Sequence, residues 1–340
     1  MSKKYDLITL GELLIDFTES SESKESTSAE TEVYTANPGG APANVVAAAQ
    51  KLGFKTAFIG TVGYDHFGEV LINSLKSINI DTSLIQQTKE AFTTLVFVTL
   101  DENDNRKFNF ARKPGADMFI TLNDNSKTAL ADTKFFHFGS ISLNSEQNRD
   151  ATKLAVKTAR NNGAVITFDP NIRLELWNSQ KDLVEQVHWG FKNADIIKIS
   201  DEDLVYLTDI LPESYIRDIF SHSEVKLIIC TSGKSGLTAY YFDQVTSGLR
   251  KVSIENEFEI NAIDTTGAGD IFTGAFLSKI NLDQYNNLTT RENFNEWILD
   301  FKDLEKSLDF ANKFAGLSTL KYGGIPSIPS IEEYNDFYNL

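Results

Sequence analysis

Short runs of β-branched and aliphatic residues alternate with segments of helical periodicity along most of this chain, and the alternation restricts the folds that it can adopt. Strand-like runs occur at residues 8–17, 57–60, 135–138, 165–168, 196–199 and 226–230. The helical segments are residues 43–52, 67–78, 151–159, 271–280 and 304–320. Strands separated by helices form parallel sheets, which need helices on both faces. The pattern therefore predicts an α/β fold with a mainly parallel sheet.

One segment departs from this alternation. Residues 92–100 are β-branched and aromatic, and residues 106–110 alternate polar and apolar side chains after the polar stretch 101–105. Two such runs with no helix between them predict an antiparallel hairpin, and hence a small second sheet beside the main one. Residues 19–32 are rich in Glu and Ser, so we expect a solvated surface loop there, whose role the sequence leaves open.

The composition excludes several classes of protein. The chain has 340 residues, and its 32 Lys and Arg against 48 Asp and Glu give a net charge of −16. Nucleic acid is a poor partner for so acidic a chain, because phosphates need a basic face. The one cysteine, Cys230, cannot form an internal disulfide. No run approaches the ~20 apolar residues of a membrane span, and the first residues lack a signal-peptide core, so we expect a cytoplasmic protein with no membrane partner.

The strongest local signal is the string 264–270, DTTGAGD, directly before an apolar helix. Glycines at a helix start let backbone N–H groups converge on an anion, and the helix dipole favours negative charge there. We expect the N–H groups of Gly267, Ala268 and Gly269 to hold the charge of a moving phosphoryl group, and Asp270 to accept a hydroxyl proton. These residues alone also fit a tight turn in which Asp270 only faces the helix dipole.

The second signal is the string 39–44, GGAPAN, at the start of another helix. Gly39 and Gly40 permit close approach of a ligand to the backbone, and the Asn44 side chain can donate and accept hydrogen bonds at once, which suits a polyol. By itself the string also fits a glycine turn with Asn44 as a capping residue.

Together the two strings resemble the paired signatures of the ribokinase-like (PfkB) carbohydrate kinase family. The sequence pattern that follows the first signature in this family is also matched, by Gly53, Phe58, Ile59, Gly60, Gly63, Asp65 and Gly68. The resemblance runs in order from Gly11 to about Pro329. It implies a doubly wound, three-layer αβα domain over 1–340, with a small β-sheet lid built from about 14–36 and 92–112.

The resemblance further implies ATP as phosphoryl donor, Mg²⁺ as the working metal and a sugar hydroxyl as acceptor. Asp270 matches the family's catalytic base, and residues 267–269 match its anion hole. The positions that match those holding the sugar are Asp16, Gly39, Gly40 and Asn44. Asp264 and Thr266 match a region that supports a potassium ion, K⁺, in many members.

Two further strings refine the expected substrate. Residues 169–173, DPNIR, and the segment around Arg112 resemble those of fructokinases and of 2-keto-3-deoxygluconate kinases. Arg112 and Arg173 could both face the sugar cleft, where guanidinium groups suit the carboxylate of a keto acid and could also meet hydroxyls or phosphate. Each could instead be a surface ion-pair partner. The constellation as a whole is most similar to the fructokinase branch.

The resemblance is less sharp on the nucleotide and metal side. Thr231, Gly233 and Gly236 match the glycine turn near the triphosphate, and Asn312 and Gly323 match the adenine cleft. Where many members carry Asn-x-x-Glu near the metal, this chain has Ser200 and Asp203. Aspartate is one methylene shorter than glutamate, so we expect Asp203 to reach the metal with a water filling the gap.

The sequence thus predicts an ATP-dependent sugar kinase, most similar to fructokinases, that makes fructose 6-phosphate. The alternatives within the class are a 2-keto-3-deoxygluconate kinase and a ribokinase. A non-catalytic sugar- or nucleotide-binding regulator is the alternative from another class, and the presence of Asp270 argues against it. We expect a homodimer through the lid strands. The preferred sugar and activation by K⁺ are left open.

Overall fold

The computed structural model describes residues 3–19, 33–100, 106–243, 248–256, 260–280, 290–298 and 300–339. The predicted loop at residues 19–32 therefore lies almost entirely outside the described residues. The strands are β1 (Tyr5–Leu10), β2 (Leu14–Glu19), β3 (Tyr34–Gly39), β4 (Thr56–Gly63), β5 (Ile85–Thr88), β6 (Leu95–Leu100), β7 (Arg106–Ala111), β8 (Thr133–Gly139), β9 (Val165–Asp169), β10 (Ile196–Ser200), β11 (Leu227–Thr231), β12 (Leu237–Asp243) and β13 (Gly248–Ile254). The α-helices are α1 (Ala41–Lys51), α2 (His66–Ser77), α3 (Asp124–Ala131), α4 (Glu146–Asn161), α5 (Gln180–Lys192), α6 (Asp201–Leu207), α7 (Pro212–His222), α8 (Ala268–Lys279), α9 (Thr290–Trp297), α10 (Phe301–Ser318) and α11 (Ile331–Tyr338).

The main sheet contains nine of the described strands, in the order β13-β12-β11-β10-β9-β8-β1-β4-β5. Every pairing from β5 to β11 is parallel, and β12 and β13 are added antiparallel at one edge. Successive side chains of a strand enter opposite layers: Leu7 packs into the core on one face of the sheet, and Ile8 into the core on the other. The predicted doubly wound α/β fold is confirmed.

The second sheet has four strands in the order β3-β2-β6-β7. The predicted hairpin is its antiparallel β6–β7 pair, while β2 pairs in parallel with β6. Leu14, Val96 and Val98 form a small buried apolar cluster on this sheet. The small second sheet is therefore confirmed, and it follows directly from β1 through the turn at Gly11.

The parallel strands bring their carboxyl ends to one edge of the main sheet, next to the start of α8. Asp169 ends β9, Ser200 ends β10 and Thr231 ends β11. Helices α1 and α8 approach closely at Gly274 of α8. A Cβ at this position would lie 2.3 Å from the carbonyl oxygen of Val45 on α1, so only glycine permits this packing. No helix in the described part of the chain is long and apolar enough to cross a membrane.

Candidate active site

Asp270 lies in the first turn of α8, where its carboxylate meets a side chain from α1. Nδ2 of Asn44 donates a hydrogen bond to Oδ2 of Asp270 at 2.9 Å. Desolvation of the Asp270 carboxyl raises its pKa to about 7, although the Asn44 hydrogen bond acts in the opposite direction. A carboxyl with a pKa near neutrality suits a general base.

The glycine turn before Asp270 places backbone N–H groups at the start of α8. Gly267 is the N-cap residue and has φ 75°, a left-handed conformation that favours glycine. A Cβ at Gly267 would lie 2.9 Å from Nδ2 of Asn44, so a side chain there would disturb the residue that holds Asp270. The N–H of Ala268 already donates to the carbonyl of Thr265 at 3.2 Å. The helix dipole and the open start of α8 favour a negative group beside Gly267 and Gly269.

Asp264 fixes the turn that leads into α8. This buried carboxylate accepts hydrogen bonds from the N–H of Thr266 at 2.9 Å and from its hydroxyl at 2.7 Å. Its other oxygen accepts the N–H of Gly323 at 2.7 Å, and Gly323 has φ 85°. The structure thus brings Asp264 and Thr266 together, with Gly323 as a third member.

A second charged group lies at the carboxyl ends of β9 and β10, and the sequence analysis missed its central member. Nζ of Lys198 is 3.0 Å from Oδ2 of Asp169, and both residues are buried. Burial lowers the pKa of Lys198, but the carboxylates of Asp169 and Asp270 outweigh that effect and raise it. The one signal in the sequence is a lysine within the otherwise apolar and small strand IIKIS.

Asp203 lies beside this group, in the first turn of α6. Oδ1 of Asp203 accepts the N–H of Ile172 at 3.2 Å, and Ser200 caps the helix by accepting the N–H of Asp203 at 3.0 Å. Burial, and then the nearby Asp169 carboxylate, raise the pKa of Asp203. In the described ranges there is no group of three or more His, Cys, Asp or Glu that could hold a metal ion. Mg²⁺ needs only one or two carboxylates when phosphates and waters complete its shell, and Asp203 fits that requirement.

The residues predicted to hold a sugar meet where β3 joins α1. Asp16 is buried on β2, and a Cβ at Gly39 would lie 2.2 Å from its Oδ2, so only glycine leaves room for this carboxylate. Gly40, with φ 110°, is the N-cap residue of α1, and its carbonyl accepts the N–H of Asn44 at 2.9 Å. The pattern of polar residues around a glycine turn suits a small polyol.

Glu12 is a buried residue of this region that the sequence analysis did not assign. Its Oε1 accepts the N–H of Ala41 at 3.0 Å, and its Oε2 has no hydrogen-bond partner within the described residues. Burial raises the pKa of Glu12 to about 8, and the nearby Asp117 carboxylate adds to the effect. In the sequence, the feature that could have identified Glu12 is an acidic residue directly after Gly11, within the otherwise largely apolar run 8–17.

The two predicted arginines lie in different surroundings. Arg112 is buried, and its Nε is 2.7 Å from Oδ2 of Asp117, whose other oxygen, Oδ1, accepts the hydroxyl of Thr94. The guanidinium carbon of Arg173 lies 5.2 Å from the ring centre of Phe108, and its Nη1 donates to its neighbour's carbonyl. The charge of Arg173 also lowers the pKa of Asp270, whereas Arg112 is held by its own carboxylate.

Four of the five residues predicted on the nucleotide side meet around the turn after β11, whereas Gly323 lies beside Asp264. Gly233 and Gly236 have φ 51° and 95°, and Thr231 is the last residue of β11. Asn256, which the sequence analysis missed, donates from Nδ2 to the carbonyl of Lys234 at 2.9 Å. Its Oδ1 accepts the Nδ2 of Asn312 on α10 at 2.5 Å. Asn312 is thus tied to the glycine turn through Asn256.

Comparisons with known proteins agree over almost the whole chain. The sequence matches the family described as pfkB family carbohydrate kinase over residues 4–331. The probable fructokinase-5 of Arabidopsis thaliana is 37% identical over 327 residues, which cover 95% of this chain and 94% of that protein. The fructokinase of Xylella fastidiosa with bound ATP gives a TM-score of 0.85 at 25% identity and covers 99% of this chain and 98% of its own. The fructokinase of Vibrio cholerae O395, with fructose, ADP and calcium ion bound, gives 0.78 at 26% identity over 98% of this chain and 99% of its own.

Proposed function

This chain belongs to the pfkB family of carbohydrate kinases, and from that premise we propose that it transfers the γ-phosphoryl group of ATP to D-fructose, giving fructose 6-phosphate. The relatives named as fructokinases support the choice of sugar. The observation that carries the chemistry is the carboxyl of Asp270, held by Asn44 beside the glycine turn at the start of α8. A base and a helix start that favours anions together fit phosphoryl transfer to a hydroxyl.

We propose that the sugar binds where β3 joins α1. Asp16 and Asn44 would hold its hydroxyls, and the absence of side chains at Gly39 and Gly40 would let the sugar ring approach the backbone. The 6-hydroxyl would then face Asp270. Because the Asn44 amide contacts both this cleft and the base, binding of the sugar and alignment of the base would be coupled.

In the proposed reaction, Asp270 accepts the proton of the sugar's 6-hydroxyl. The oxygen of that hydroxyl attacks the γ-phosphorus of ATP in line, and ADP leaves. A new O–P bond forms, the bond to the β-phosphate oxygen breaks, and the proton remains on Asp270 until solvent removes it. We propose that the N–H groups of Gly267, Ala268 and Gly269 stabilise the charge on the moving phosphoryl group, with the N–H of Ala268 exchanging its bond to Thr265.

We propose that the nucleotide lies along the turn after β11. Thr231, Gly233 and Gly236 would line the phosphate side, while Asn312 would lie near the adenine. Gly323, which was also predicted near the adenine, lies instead against Asp264. Asp203 would hold Mg²⁺, which neutralises phosphate charge when bound. Asp264 and Thr266 would support a K⁺ ion near the α8 turn.

We propose that the second sheet acts as a lid that closes over sugar and ATP and excludes water. We also propose a homodimer through this sheet, because β3 and β7 are its outer strands and each pairs on one side only among the described residues. Light scattering at micromolar concentration should give twice the mass of one chain. We place the reaction in the cytoplasm, where ATP is available and the single thiol of Cys230 stays reduced.

The second candidate is phosphorylation of 2-keto-3-deoxygluconate, whose carboxylate would need an unpaired guanidinium. Arg112 is already paired with Asp117 through its Nε, which makes it a weaker partner for a second carboxylate and favours a neutral sugar.

The test is a coupled assay of ADP release over fructose, 2-keto-3-deoxygluconate, ribose and adenosine. We expect the highest kcat/KM with fructose. A higher value with another acceptor would replace fructose as the substrate. Intact binding of sugar and ATP without transfer to any acceptor would instead favour a non-catalytic regulator.

A further inference from the structure

We propose that Lys198 is a further catalytic residue, whose ammonium group is held by Asp169 against the Gly269 backbone and donates to the transferring phosphoryl group. This inference rests on the proposed phosphoryl transfer and adds a side-chain cation to its backbone N–H donors.

The position of Lys198 is a costly one for a charged residue. It lies in the interior of β10, a central strand of the main sheet, and only 8% of the residue is exposed. A buried ion pair adds little to stability compared with apolar residues of similar volume, because both charges lose their hydration. A functional role therefore explains a lysine at this position better than a contribution to the stability of the fold.

The ammonium group has donors that the protein does not use. A lysine carries three N–H donors, and within the described residues Nζ has one hydrogen-bond acceptor, Oδ2 of Asp169 at 3.0 Å. The remaining donors suit acceptor oxygens such as those of a phosphoryl group. Asp169 itself is fixed, since its Oδ1 accepts the N–H of Asn171 at 3.1 Å.

The backbone at Gly269 gives the direction in which the ammonium lies. A Cβ built at Gly269 would be 2.7 Å from Nζ and 3.4 Å from Cε of Lys198. The lysine head therefore occupies the space that any other residue at position 269 would fill. The charge stands directly beside the turn whose N–H groups would meet the phosphoryl oxygens, one residue from Asp270.

The charged groups around Lys198 come from four elements and a loop. They are Asp169 at the end of β9, Asp203 on α6, Asp270 on α8, the half-buried Arg173 after β9, and His137 on β8, whose pKa burial lowers to about 4. The charges of three carboxylates thus act on one ammonium, while His137 is neutral near pH 7. A phosphoryl group entering this surrounding needs a fixed positive charge nearby, and Lys198 provides one without reorganisation.

The test compares Lys198→Met with the double variant Lys198→Met/Asp169→Asn, in which the pair becomes neutral. We expect kcat with fructose to fall about 10²-fold in both, with KM for ATP within about threefold of wild type. Lys198→Arg, which keeps the charge, should retain more activity than either. Recovery of the double variant to within about threefold of wild type would overturn the proposal, because Lys198 would then only neutralise Asp169.

Lys51→Met is the matched control. Lys51 is half-buried at the far end of α1 from Asn44 and donates to the carbonyl of Ile328 at 2.7 Å. We expect this variant to lower the thermal midpoint while leaving kcat unchanged. If Lys198→Met alone fails to fold, the double variant and Lys198→Arg still decide the question.

A binding measurement separates this proposal from the choice of sugar. Calorimetry with Mg²⁺, ADP and aluminium fluoride, against ADP alone, reports contacts made to a transferring phosphoryl group. We expect the double variant to lose about 10²-fold in affinity for the aluminium fluoride complex and little for ADP. Equal losses for both would overturn the role of Lys198. Failure of wild type to phosphorylate fructose would overturn only the acceptor.

Discussion

Asn44 and Asp270 are 226 residues apart in the chain, and their side chains meet in a hydrogen bond of 2.9 Å. The contact depends on the close packing of α1 against α8, which Gly274 permits because a side chain there would clash with the Val45 carbonyl. Asn44 thus links the cleft proposed for the sugar to the residue proposed as base.

The pH dependence of the wild-type enzyme should reflect the ionisation of Asp270. Desolvation raises the pKa of Asp270 to about 7, and a general base works only when deprotonated. We therefore expect kcat/KM for the sugar to rise with pH through about 7 and to level off above it. Initial rates from pH 5.5 to 9 measure the profile. A flat profile across this range would contradict the assignment of Asp270.

Replacing Asn44 by Leu should move that profile to higher pH. The donated hydrogen bond stabilises the Asp270 carboxylate and lowers its pKa, so its loss must raise the pKa further. We expect kcat/KM at pH 7 to fall by about tenfold or more, and the loss to shrink at pH 9, where the base is ionised in both proteins. A loss that stays the same at every pH would show that Asn44 contacts only the sugar.

Gly267→Ala should lower kcat in addition to the loss of stability that alanine causes at a positive φ. Both Gly267 and Gly53 have positive φ, at 75° and 96°, so alanine at either position costs roughly 1 kcal/mol of stability. Only at Gly267 does the added Cβ meet Asn44; at Gly53 nothing lies within 4 Å. We expect kcat to fall at least about tenfold in Gly267→Ala and to stay unchanged in Gly53→Ala. Thermal melts and rates on the two variants measure this, and equal rates would contradict it.

Glu12→Gln should change how stability depends on pH. Burial raises the pKa of Glu12 to about 8 from its usual 4.5, so the folded protein holds this proton more tightly than the unfolded chain does. Wild-type stability should therefore fall as pH rises between these values, and the variant should lack this loss. We expect the variant to gain more than about 1 kcal/mol relative to wild type between pH 5 and pH 9 in urea unfolding. Glu146→Gln, at an exposed position, controls for the loss of one charge; equal behaviour of the two variants would contradict the prediction.

Much of the fold could be predicted because its signals are local. The spacing of apolar residues identified six strands of the main sheet, β1, β4 and β8 to β11, and five of the helices. The hairpin at β6 and β7 followed from two strand-like runs without a helix between them. The position of β1 between β8 and β4 could not be predicted in this way. That order depends on which helices cover which face, which no single segment of sequence encodes.

In the candidate site, too, the features encoded by neighbouring residues could be predicted, and those that depend on tertiary packing could not. The glycine turn and Asp270 are neighbours in sequence, so their juxtaposition needed only a helix start at residue 268. Lys198 was missed because its significance depends on β9 and β10 being adjacent, which brings it to Asp169 from 29 residues away. Asn44 was predicted as a sugar-binding residue, but its hydrogen bond to Asp270 depends on helix packing.

The most direct test of the account is the rate of ADP formation with fructose in wild type and in Asp270→Asn. The asparagine keeps the size and the polar contact with Asn44 but cannot accept the hydroxyl proton. We predict at least about a 10²-fold loss of kcat, with the affinities for ATP and fructose nearly unchanged. Turnover of Asp270→Asn within about threefold of wild type would contradict the role of Asp270 as the catalytic base.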